Sequence, residues 1–234
     1  MDGADATRGF GAYGKMPAVG DFFRLHPPPG FVTPWDAWVQ SMLLTASEAL
    51  GEAFDEAFMS APIWRFTLAA GLAGPAPALG VLMPSVDRVG RRFPLTLVVA
   101  LEAEADPAAS HFRAGATFAA LEDLALDMLE DGVGKPDLEA RLADLAPPGT
   151  PAGPRLHQFG TTMSVTLGPG SEASGLAGAL ASGLLAGRVA QPSMWSTEVE
   201  GVPRLMVTEG LPGAREMVAL ISLDAALWDK GPAL

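Results

Sequence analysis

The sequence predicts an α/β protein, a three-layer αβα sandwich on a mixed, partly antiparallel sheet. Three observations carry that expectation. Apolar strand-like runs follow one another through short Gly/Pro connections and are then interrupted by helices. The run Leu95-Thr-Leu-Val-Val-Ala-Leu101 is apolar on both faces, so its strand needs helical cover above and below. Two long segments repeat apolar residues at three- and four-residue steps, the signature of helices packed on a core.

Residues 10–15 read as a short strand, followed by a long loop holding Gly20 and the prolines Pro27 to Pro29. Thr33 then caps a helix, with Pro34 in its first turn and Asp36 near the positive end of its dipole. Trp35, Trp38, Val39, Met42, Leu43, Ala46, Leu50, Ala53, Phe54 and Phe58 form its apolar face. Residues 66–86 carry no charge and are long enough to span a bilayer. Gly71, Gly74, Pro75, Pro77, Gly80 and Pro84 would break such a helix, so two buried strands, 64–70 and 78–83, are expected instead. A third strand occupies 93–101.

Asp106 and Pro107 open a helix running to about residue 131, and 137–145 forms a short helix after it. Residues 146–154 are the clearest linker. Beyond it come a strand at 161–167, a buried Ala/Gly/Leu-rich helix at 171–185, strands at 194–197 and 204–208, and a helical stretch at 213–228. The expected organisation is one α/β domain over 1–234, with a core motif region at 8–147. Residues 155–234 form a C-terminal subregion that a second lobe could also accommodate.

At 234 residues, 49% hydrophobic and 18% charged, the chain is globular and not a disordered acidic tail. A net charge of −12 argues against nucleic-acid binding, which needs clustered Lys and Arg. The absence of cysteine excludes disulfides, thiolate nucleophiles and zinc–thiolate sites. His26, His111 and His157 are too scattered to suggest a metal centre, and no cofactor is implied. The first ten residues contain no apolar run, so no signal peptide, no membrane insertion and a cytoplasmic location are expected. Residues 102–147 carry 11 acids against 3 bases. That is a solvated helix face or a surface that steers a basic partner.

The densest polar cluster lies between two apolar strands: Ser85, Asp87, Arg88, Arg91 and Arg92. Serine beside aspartate invites a hydrolase reading with an arginine, but the Gly-x-Ser-x-Gly elbow is absent and no histidine is near in sequence. The arginines suit a phosphate or carboxylate ligand, but a structural pairing with Asp21 or Asp36 that holds the N-terminal loop is the favoured reading. The segment Tyr13-Gly-Lys-Met-Pro-Ala-Val-Gly-Asp-Phe22 is only superficially a phosphate loop, because its lysine precedes the loop. Gly168 to Gly175 is a weak anion nest, since Pro169 removes one amide donor. Trp35, Trp38 and Trp64 fit the core. The paired carboxylates Asp55/Glu56 and Glu122/Asp123 point apart on a helix. No convincing catalytic set emerges.

Four motifs in order carry a resemblance: Tyr13-Gly-Lys-x-Pro-x-x-Gly-Asp-Phe22, Phe31-Val-x-Pro-Trp-Asp-x-Trp38, Ala61-Pro-Ile-Trp-Arg-Phe66, and Gly80-Val-Leu-Met-Pro-Ser-Val-Asp-Arg-Val-Gly-Arg-Arg-Phe-Pro-Leu95. With them the chain resembles the TagF (ImpM) family of bacterial type VI secretion systems. The likeness extends less sharply to about residue 145, with weaker features at Met194-Trp-Ser-Thr197 and Gly210-Leu-Pro212. The resemblance implies a non-catalytic, post-translational negative regulator with an α/β three-layer sandwich fold. Its partners would be proteins of the secretion apparatus, an Fha-type scaffold among them. Lys15, Asp21, Phe22, Trp35, Asp36, Trp64, Arg65, Ser85, Asp87, Arg88 and Arg91 are its motif or partner-binding candidates, with the loop 15–30 and the arginine turn as the expected contact surface.

Overall fold

The computed structural model describes residues 9–130, 132–149, 155–168 and 174–228. Strands β1 (Gly11–Gly14) and β2 (Phe23–Leu25) precede helix α1 (Val32–Leu50). A single 3₁₀ turn (Gly51–Ala53) then leads into α2 (Phe54–Ser60). Strands β3 (Trp64–Leu68), β4 (Ala78–Met83) and β5 (Leu95–Ala100) follow, then helices α3 (Pro107–Arg113), α4 (Gly115–Asp127) and α5 (Lys135–Asp144). The remainder comprises the hairpin β6 (Arg155–Phe159) and β7 (Thr162–Thr166), helix α6 (Ser174–Leu185), strands β8 (Pro192–Val199) and β9 (Val202–Glu209), and α7 (Ala214–Ile221).

Seven strands form one sheet in the order β2-β1-β5-β4-β3-β8-β9, and β6-β7 stands apart. Where a mixed sheet was expected, every described pairing is antiparallel. For β3, β4 and β5 the reason is their short connections, too close in sequence for the crossovers that parallel strands require; β1–β5 and β3–β8 are long-range antiparallel pairs. β8 pairs directly with β3, setting Phe66 opposite Trp195.

Helices cover both faces, as the double-sided run in β5 demands. In β4, Leu79, Val81 and Met83 join one apolar cluster while Ala78 and Leu82 join the other. In β5, Leu95, Leu97 and Val99 oppose Val98 in the same way. One cluster packs α1, α2 and α7 around Trp35, Trp38, Phe66 and Trp195; the other packs α4 and α5 through Phe118, Leu121, Leu138 and Leu142.

Several boundaries depart from the sequence reading. Helix α1 begins at Val32 with Phe31 at its N-cap, and no side chain caps it. Thr33 therefore lies inside the first turn, and Asp36 is drawn to Tyr13 and Gln40 instead of the helix end. The expected continuous helix to Phe58 breaks at Gly51, whose φ of 56° only glycine adopts readily. Asp106 does cap α3, accepting from the Ala109 N–H at 2.7 Å. The helix expected to run on to about residue 131 divides at Ala114, which leaves helical geometry at φ −85°, ψ 20°.

Helix α6 is not the buried helix expected. Leu176, Leu180 and Leu184 are each nearly half exposed, whereas Ala179 is buried. Its small residues form the inner face: Gly178 lies so close to Ala109 of α3 that an added Cβ would sit 3.0 Å from the Ala109 Cα. Backbones approach closely there, and the leucine row is turned outward. Of the expected linker, residues 146–149 have no regular structure and 150–154 lie outside the described residues, as do 169–173 of the glycine-rich loop. The helical stretch expected to 228 ends at Ile221. Residues 66–86 contribute β3 and β4, and among the described residues no helix is long and apolar enough to cross a membrane.

Candidate functional site

The turn between β4 and β5 is organised around one buried carboxylate. Asp87 is 2% exposed. Its Oδ1 accepts the backbone N–H groups of Val89 (3.1 Å) and Arg91 (2.9 Å). Its Oδ2 accepts Nε of Arg91 (2.6 Å) and lies 3.0 Å from the Lys15 ammonium. Burial pushes the Asp87 carboxyl up. The Arg91 N–H, Lys15, the Arg91 guanidinium and the Val89 N–H outweigh it and hold the group well below the usual carboxylate range. Asp87 is thus charged at neutral pH, and both its oxygens are engaged from inside.

The same residues fasten the loop after β1. Arg91 donates to the Gly20 carbonyl at 2.8 Å, lies 3.9 Å from Asp21, and so ties the loop to the turn. The Arg88 N–H donates to the Val19 carbonyl. The Arg88 guanidinium lies against Gly20 so closely that a Cβ there would sit 2.9 Å from it. Lys15 also sits 4.7 Å above the Phe22 ring, which meets Phe93 edge-on at 4.7 Å and stacks near Tyr13. Phe22 remains 46% exposed and Val89, at the turn's tip, 70%.

Of the sequence candidates, Lys15, Asp21, Phe22, Ser85, Asp87, Arg88 and Arg91 converge here. The others do not. Trp35 is fully buried and donates to Thr96 Oγ1, and Trp64 donates to the Leu220 carbonyl, so both belong to the core and not to a contact surface. Asp36 accepts from the Tyr13 hydroxyl. Burial, then that hydrogen bond and the Asp36 charge, push the Tyr13 hydroxyl above its ordinary value. The pairing of the arginines with Asp21 or Asp36 is realised at Asp21 alone; Arg92 reaches Asp55 instead, at 2.6 Å. Arg65 points to the opposite face of the sheet from Trp64 and grips Glu122 of α4 through two hydrogen bonds.

Ser85 is buried, and its Oγ has no hydrogen-bond partner among the described residues. The three histidines serve elsewhere or make no bond to it. His26 meets Glu139; His111 engages Thr67 Oγ1 through Nδ1 and Ser196 Oγ through Nε2. The hydrolase expectation required a histidine bonded to Ser85, and that arrangement does not exist here. The Thr67–His111–Ser196 network escaped the sequence reading because it depends on α3 crossing β3 and β8, which no spacing reveals. Among the described residues no three His, Asp or Glu side chains group to hold a metal ion.

Over residues 11–145 the sequence matches the family described as TagF N-terminal domain, type VI secretion system-associated. The crystal structure of PA0076 from Pseudomonas aeruginosa PAO1 is similar at 31% identity, with a TM-score of 0.76, over 96% of this chain and 99% of that one. Among curated proteins there is no match.

Proposed function

The chain belongs to the TagF family of type VI secretion-associated proteins, and from that premise we propose that it is a cytoplasmic, non-catalytic accessory protein that represses secretion after translation through protein contacts. Its partners are components of the secretion apparatus, with an Fha-type scaffold as the first to test. One observation carries this reading. Asp87 and Arg91, which the hydrolase reading would need, are spent together with Lys15 on holding two loops together, while Phe22, Arg88 and Val89 face outward on that base. A catalytic site needs groups free to meet substrate; a docking surface needs fixed exposed ones.

The reading treats residues 1–234 as one domain, supported by the pairing of β8 with β3 inside a single sheet. The hydrolase alternative gains no support from Ser85, which lacks a base. Deleting the gene in a strain with an active system should raise the secreted amount of tube and spike proteins. Unchanged secretion would overturn the proposal.

A further inference from the structure

The outward surface of the loop–turn pair has a charge character opposite to that of the molecule. The chain carries −12 overall. Here, however, the Asp87 carboxylate is turned inward and neutralised by Lys15 and Arg91. Asp21 is the exposed counter-charge, 3.9 Å from Arg91 and already accepting the N–H of Phe22. The Arg88 guanidinium, against Gly20, has no carboxylate partner among the described residues. The same loop and turn carry Phe22 and Val89, two exposed apolar side chains; their backbone N–H groups donate to Asp21 and Asp87 respectively. An exposed aromatic packed against Lys15, Phe93 and Tyr13 and an exposed, uncommitted guanidinium are the features of an interface anchor.

We infer that this patch is the docking site for an acidic segment of a partner protein, a carboxylate seating on Arg88 and an apolar side chain covering Phe22 and Val89. The inference rests on the reading of the chain as a contact module and adds the chemistry of what it contacts. Guanidinium and carboxylate meet in a two-bond fork that a lysine cannot reproduce. The net charge of −12 disfavours acidic peptides over the molecule as a whole, and an exposed arginine outside the patch, Arg188, serves as the control for binding elsewhere.

The test is fluorescence anisotropy of the purified full chain with a short labelled peptide of glutamate and leucine, and with its glutamine–leucine counterpart. The wild-type protein should bind the glutamate peptide and not the glutamine one. Arg88→Ala and Phe22→Ala should each weaken binding about tenfold, as loss of one charge-assisted fork or one anchor does. Arg188→Ala, which removes an exposed arginine elsewhere, should leave it unchanged. Arg88 and Phe22 are exposed, and unaltered circular dichroism and melting would establish that both variants fold. No binding by the wild-type chain, or equal binding by all variants, overturns the inference. The secretion assay separates it from the broader proposal. Peptide binding with no effect of gene deletion removes the repressor role and leaves the patch; derepression on deletion with no peptide binding does the reverse.

Discussion

His111 makes the structure sensitive to acid in a defined window. The imidazole is 5% exposed and bridges Thr67 Oγ1 at 2.9 Å and Ser196 Oγ at 2.8 Å. Burial first, and the nearby charge of Arg65 second, push its pKa down from 6.5 to about 4. The unfolded chain therefore takes up a proton near pH 6.5 that the folded chain refuses until about pH 4. Stability from the neutral ring is complete above 6.5, drains away as pH falls to about 4, and then changes no further. At 1.36 kcal/mol per pH unit the loss is about 3 kcal/mol. With an m-value of about 2 kcal/mol/M, the urea midpoint falls by roughly 1.5 M across the window. Surface carboxylates titrate at the lower end of the same range, so the readout is the difference between wild type and His111→Gln, which cannot protonate. The variant should be less stable at neutral pH yet lose about 3 kcal/mol less on acidification. Parallel losses in the two proteins, or an NMR titration placing His111 near 6.5, would refute the reasoning.

Lys15→Met removes one cation from buried Asp87 and should lower the urea midpoint at neutral pH. Because the folded Asp87 pKa is depressed, that deficit should shrink as pH falls below the ordinary carboxylate value, where the group's contribution fades in both proteins. Trp35→Ala should destabilise by about 3–5 kcal/mol in chemical denaturation, because it opens a cavity among Phe31, Trp38, Phe66 and Trp195 and strips Thr96 of its donor. Gly14→Ala should prevent accumulation of soluble protein or lower stability by more than about 2 kcal/mol. Residue 14 has φ of 136°, and an added Cβ would lie 2.1 Å from the Pro94 carbonyl. A wild-type-like melting curve for that variant would contradict the close approach.

The layered fold was legible because β5 is apolar on both faces, a property of consecutive residues that survives any topology. Strand β4 was legible for the same reason, with its bounds marked by the glycines and prolines around it; β3 was legible from the uncharged run 66–86 and ends two residues earlier than expected, at Leu68. Antiparallel pairing throughout was less accessible: it depends on where β8 and β9 insert, a long-range choice. The outward leucine row of α6 was misread because composition reports how apolar a helix is and not which face a neighbour takes. At the candidate site, the clustering of Lys15 and Asp21 with Ser85, Asp87, Arg88 and Arg91 followed from motif content, yet only the structure separates Asp87, used up inside, from Arg88, left outside. Trp35 and Trp64 carry equally strong motif signals and are buried.

The seam between β3 and β8 also governs how the polypeptide must emerge from the ribosome. β3 ends at Leu68 and β8 begins at Pro192. At ~5–20 residues per second of synthesis, the second strand arrives roughly 6–25 s after the first. Throughout that interval nascent β3 offers a raw hydrogen-bonding edge, with Trp64, Phe66 and Leu68 beside it and Trp195 not yet made. A fragment spanning residues 11–145 is frozen at that stage. It should elute from gel filtration as aggregate and regain solubility when residues 174–228 are supplied in trans.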